Sequence, residues 1–106
     1  MTESVSNVEM NIEKVSAISV EDVARYLRIS EIDDEDKKDL NKFLKISKSF
    51  IKSYTGVKDL DIYEDFVIVV FVLCQDMNDS RSYYVDGKNL NDVVKTILDL
   101  HSVNLL

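Results

Sequence analysis

Proline is missing from this chain, and glycine occurs only twice in 106 residues. A sheet protein of this size needs more turn residues, so the composition predicts an all-α fold. Cysteine and histidine occur once each. One thiol forms no intrachain disulfide, and one thiol with one imidazole falls short of a zinc site. Cys74 lies in apolar sequence, where burial raises a thiol's pKa, so it reads as structural rather than nucleophilic. His101, near the end of the chain, supports no Ser-His-acid arrangement. Gly56 and Gly87 are isolated, which excludes a Gly-rich phosphate loop. The acidic run 31–36 lacks the glycine that an EF-hand loop requires at its sixth position. No stretch approaches the about 20 apolar residues of a membrane-spanning helix. The N-terminus lacks the basic and apolar regions of a signal peptide, so a cytosolic product is expected. Basic residues are the minority, and the net charge of -7 repels DNA phosphates. The sequence thus predicts no catalytic, cofactor-binding or metal-binding residue, and a protein that acts by binding.

What the sequence does have is one run of nine apolar residues at 66–74. β-Branched residues there favour a buried strand, whereas the flanks favour a helix. Asp61 is placed to cap, Glu64 and Asp65 sit in a first turn, and no breaker interrupts 62–78. That length exceeds an ordinary strand, which predicts a central helix over about 62–78, apolar nearly all round. Phe66, Val70, Phe71 and Cys74 are expected at its heart. The fold is then a small bundle of four to five helices around it.

Along the chain, Val5, Val8, Ile12 and Val15 form a narrow helical stripe within an arm or extra helix at 1–17. The arm docks either on its own domain or on a neighbouring subunit. The single helical domain is expected to span 18–106. Ser19 opens its first helix with a capping-box pattern to Asp22, and Val20, Val23, Ala24 and Leu27 share a face. A long helix follows the acidic run, with Leu40, Phe43, Leu44, Ser47, Phe50, Ile51 and Tyr54 on one face and six lysines elsewhere. Gly56 is placed to end it in the left-handed conformation. The short connection to the apolar helix makes the two antiparallel. The segment at about 82–90 is expected to be a loop, with a short hairpin turning at Asp86-Gly87 as the alternative. Asn91 caps a last helix whose face is Val94, Ile97, Leu98 and His101. The apolar Val103, Leu105 and Leu106 close the chain, either tucked into its own core or anchoring a partner.

Taken in order, these features resemble a known family. Val23, Tyr26, Leu27, Arg28 and Ile29 are followed by Ile51, Tyr54, Thr55 and Gly56, then by Ile97, Leu98, His101 and the run 102–106. The set resembles the head–tail connector (head-completion adaptor) proteins of tailed bacteriophages and prophages, over about residues 18–106. The resemblance implies a helical structural protein that assembles as a homo-oligomeric ring below the portal protein. Such a ring extends the DNA channel and offers a platform to the next head-completion or tail protein. It implies a place in the virion neck, reached through the host cytoplasm during assembly, with double-stranded DNA passing through without specific binding and no membrane involved. The Lys-rich long helix would face acidic neighbours around the ring. A small acidic cytosolic regulatory module that binds a single protein partner is the alternative.

Overall fold

The computed structural model describes residues 11–103. Among the described residues there are four α-helices and no strand: α1 (Val20–Leu27), α2 (Asp34–Thr55), α3 (Phe66–Ser80) and α4 (Asp92–His101). Two single 3-10 turns, Val15–Ala17 and Leu60–Ile62, precede α1 and α3 respectively.

Local chemistry sets most boundaries. The Ser19 hydroxyl accepts from the Asp22 amide at 3.1 Å, and the Asp22 carboxylate accepts from the Ser19 amide at 2.9 Å. This closes the capping box that opens α1. Asp33 and Asp36 make the same reciprocal pair at the start of α2. α1 ends at Arg28, which is left-handed, and the Ile29 amide reaches back to the Ala24 carbonyl. α2 ends at Gly56 with φ 79°, a conformation that costs a side chain about 1–2 kcal/mol and costs glycine none.

The apolar helix begins later than the predicted 62–78 and runs two residues further. The Asp59 carboxylate accepts from the Asp61 amide, which folds 60–62 as a 3-10 turn. Tyr63 is extended behind it, which breaks any helix running through 62–64, and α3 starts at Phe66. Asp61 does not cap the helix as expected. Its carboxylate instead accepts from the Ser16 amide at 2.9 Å and the Ser16 hydroxyl at 2.6 Å. These two bonds lower its pKa and fasten the N-terminal segment to the second 3-10 turn. α3 ends at Arg81, also left-handed, with the Ser82 amide donating to the Met77 carbonyl. That is the Schellman pattern without glycine.

The hairpin alternative at 82–90 does not form. The Asp86 carboxylate accepts from the Lys88 amide and the Asn89 side-chain amide, closing a local turn that leaves no strand to pair. Gly87 is not at positive φ, so the primed turn is absent. A Cβ there would sit 3.5 Å from the Phe50 ring, an ordinary contact, so the space at Gly87 does not demand glycine.

α3 buries Phe66, Val67, Val69, Val70, Phe71, Leu73, Cys74 and Met77, and packs on α1, α2, α4 and the first 3-10 turn. Tyr26 of α1 stacks on Phe71 at 5.0 Å between ring centres. From α2, Leu40, Phe43, Leu44 and Ile51 enter the same core, and Val94 and Leu98 enter it from α4. Val15 and Ile18 are buried in it as well, so the described part of the 1–17 arm packs on its own domain. Residues 11–17 contain no α-helical turn. Val5 and Val8, the first two positions of the arm's stripe, lie outside the described residues.

Candidate functional site

α2 ends, α3 begins and α4 ends at one pole of the molecule, and several side chains converge there. The His101 ring stacks on Tyr63 with ring centres 3.7 Å apart. Phe66 meets both rings edge-on. His101 Nε2 lies 2.9 Å from an Asp65 carboxylate oxygen. His101 is therefore held on three sides by the start of α3, which fixes the end of α4 against it. On the α2 side, the Tyr54 hydroxyl donates to the Asp99 carboxylate, which also takes Lys95 at 2.7 Å. Lys95 first and Tyr54 second hold the Asp99 carboxyl below its usual range, and the same carboxylate pushes the Tyr54 phenol up. The Val103 amide donates to the Thr55 carbonyl at 2.7 Å, joining the end of the described chain to the last residue of α2.

Around this braced pole, large apolar side chains stand in solvent. Ile62 is 59% exposed, Leu100 72% and Val103 63%. Ile62 precedes Tyr63, and Leu100 precedes His101, so both flank the stacked pair. Ile62 itself lines a cleft of about 550 Å³, together with Ile12, Tyr63, Asp65, Val67, Ile68 and His101. An exposed apolar surface next to a cleft suits the binding of a protein segment. At the opposite pole Tyr83 and Tyr84 are exposed, but Tyr83 is engaged by its hydroxyl bond to Asp39 and by Lys42 over its ring.

The residues singled out by sequence separate cleanly. Among those expected to meet a partner, Ile12 lines the cleft and Val103 is exposed at its pole, whereas Val15 is 2% exposed in the chain's own core. Val5, Val8, Leu105 and Leu106 lie outside the described residues. Ser19 and Gly56 occupy helix ends, Tyr54 bonds Asp99, and Phe66, Val70, Phe71 and Cys74 are buried. Ile62, Tyr63 and Leu100 were not singled out as site residues. Leu100 carries a readable signal, because it falls off the face formed by Val94, Ile97, Leu98 and His101. Ile62 carries none, because its exposure follows from the 3-10 turn.

Chemistry at the remaining reactive groups is muted. Burial pushes the Cys74 thiol up to about 11, with Ser47 3.6 Å from its sulfur as a weaker opposing influence. Cys74 is accordingly expected to resist thiol reagents in the native protein between neutral pH and pH ~9, and to react fully once urea unfolds it. Rapid native labelling at that pH, followed by Ellman absorbance, would contradict this. Among the described residues, no cluster of three or more His, Cys, Asp or Glu is placed to hold a metal ion. No described helix is long and apolar enough to cross a membrane. No protein-family model matches the chain, and no curated protein or solved structure matches it.

Proposed function

We propose that this chain is a structural head–tail connector of a tailed phage or prophage, one subunit of a ring that docks below the portal protein. In this reading α3 is the central helix of the bundle, and the pole formed by Ile62, Leu100 and Val103 is the docking end. The observation that carries it is the exposure of these three apolar side chains at one braced pole, with Ile62 lining a cleft. Apolar side chains gathered at one end of the molecule offer a surface that a partner can cover. The ordered sequence features described above supply the identity of that partner: the portal on one side, and the next head-completion or tail protein on the other. The protein acts by binding rather than catalysis, in the virion neck and, before that, in the host cytoplasm. With a net charge of -7 per copy, a channel lined by such subunits would let DNA slide without sticking.

The test is binding to the portal protein that the connector reading calls for. Deleting the tail would also remove the Val103 amide that holds Thr55. A triple variant, Val103→Asp with Leu105→Asp and Leu106→Asp, keeps that backbone bond and removes only the apolar character. Its affinity for the portal is expected to fall about 30-fold or more, since the loss of a single apolar anchor at about 2 kcal/mol already gives that factor. The helical circular dichroism should be unchanged. Unaltered portal binding would defeat the proposal. A one-to-one complex with some other protein, and none with the portal, would favour the acidic regulatory module.

A further inference from the structure

The two long helices of the bundle carry opposite charge on their outward faces. α2 holds six of the chain's 13 cationic side chains. Lys38, Lys45 and Lys52 follow one another at intervals of seven residues, so they form a line along one side of the helix. That line spans about 21 Å at 1.5 Å per residue. All three are exposed, and none has an ion-pair partner among the described residues. On α3 the outward line is Ile68, Val72, Asp76 and Asp79, spaced four, four and three apart. Ile68 and Val72 are half-buried, and the two carboxylates are exposed. Neither carboxylate has a hydrogen-bond or ion-pair partner among the described residues. Partial burial, then the neighbouring charge of Asp79, pushes the Asp76 carboxyl above its usual range. A cation brought to this face would relieve that repulsion.

α2 and α3 turn their apolar sides towards each other, so their open faces point away from one another. The molecule is thus basic on the outside of α2 and acidic, with an apolar extension, on the outside of α3. We propose that the outer face of α2 in one copy packs on the outer face of α3 in a second copy. In this contact Lys45 and Lys52 meet Asp76 and Asp79, while the lysine stems cover Ile68 and Val72. Lysine methylenes cover apolar surface readily while the ammonium groups stay wet. The two faces differ, so the contact is front-to-back and repeats from copy to copy, closing as a ring or continuing as a filament. Closure as a ring rests on the connector reading; the pairing of faces is read from the charges alone. It leaves Ile62 and Leu100 uncovered and takes in Ile68, which also walls the cleft.

Charge reversal tests it on the full chain, by sedimentation velocity at low salt. The wild type is expected to self-associate, and added salt should reverse the association. Lys45→Glu with Lys52→Glu should weaken association at least about tenfold, and so should Asp76→Lys with Asp79→Lys. The second result is the sharper one, because that pair of changes moves the net charge from -7 to about -3 and would promote any non-specific association. Mixing the two reversed chains should restore assembly, and one chain carrying all four changes should associate about as well as the wild type. Circular dichroism confirms that each variant is folded. A wild type that stays monomeric at millimolar concentration would overturn the proposal. So would single reversals without effect, or mixed chains that fail to assemble. Retained portal binding in the reversed chains, with self-association lost or intact, separates this contact from the docking pole. Loss of the four-charge rescue beside normal portal binding overturns only the pairing, and intact pairing without portal binding overturns only the connector reading.

Discussion

Replacing Phe71 by alanine is expected to remove about 3–5 kcal/mol of stability, the range for deleting a buried aromatic ring. Phe71 is 2% exposed and stacks on Tyr26, so the cavity would open between α1 and α3, where Tyr26 alone cannot fill it. A domain of this size has about 5–15 kcal/mol in total, so the variant should sit near the edge of folding. In urea the midpoint should fall by about 1–5 M with little change in slope, if the slope is about 1–3 kcal/mol/M. A loss below about 1 kcal/mol would mean that α1 packs on α3 far more loosely than the ring geometry indicates.

The second large effect is on binding, with stability spared. Ile62→Asp combined with Leu100→Asp changes two exposed side chains, so stability should shift by no more than about 0.5 kcal/mol per site. The Tyr63–His101 stack and the Asp65 contact involve neither side chain and keep their partners. Affinity for the portal protein should nonetheless fall on the order of 100-fold or more, because two apolar anchors become charges facing an apolar surface. Titration by fluorescence anisotropy would read this directly. Full affinity in the double variant would show that the exposed pole is not the docking end.

The helical character and most helix ends were legible because their causes are local. Ser19 and Asp22 lie three residues apart, and Gly56 follows the last apolar turn of its helix; both work without help from elsewhere in the chain. Two other helices end on arginine in the left-handed region, and nothing in those residue types announces it. The start of α3 was misplaced because Asp61 has two possible uses. As a cap it would begin the helix at once, but Ser16, 45 residues earlier, claims its carboxylate in the folded chain. That competing partner is tertiary and does not show in local spacing. The same displacement hid Ile62, which a helix would have turned against the core. Leu100 was readable, since it falls outside the apolar face of α4. His101 was correctly read as a helix-end residue, but its partners come from another element, and no spacing rule brings Tyr63 and Asp65 to it. Lysines 38, 45 and 52 were visible as a basic face. That the acidic line on α3 lies on the far side of the molecule became apparent only once the two helices were seen packed together.

Sedimentation velocity of the purified chain, alone and mixed with the portal protein that the connector reading calls for, bears most directly on the proposed connector role. A ring-sized species that carries both proteins is expected in the mixture, and its formation should depend on Ile62 and Leu100. Two slow, separate boundaries in the mixture, with no shift in either, would contradict that role.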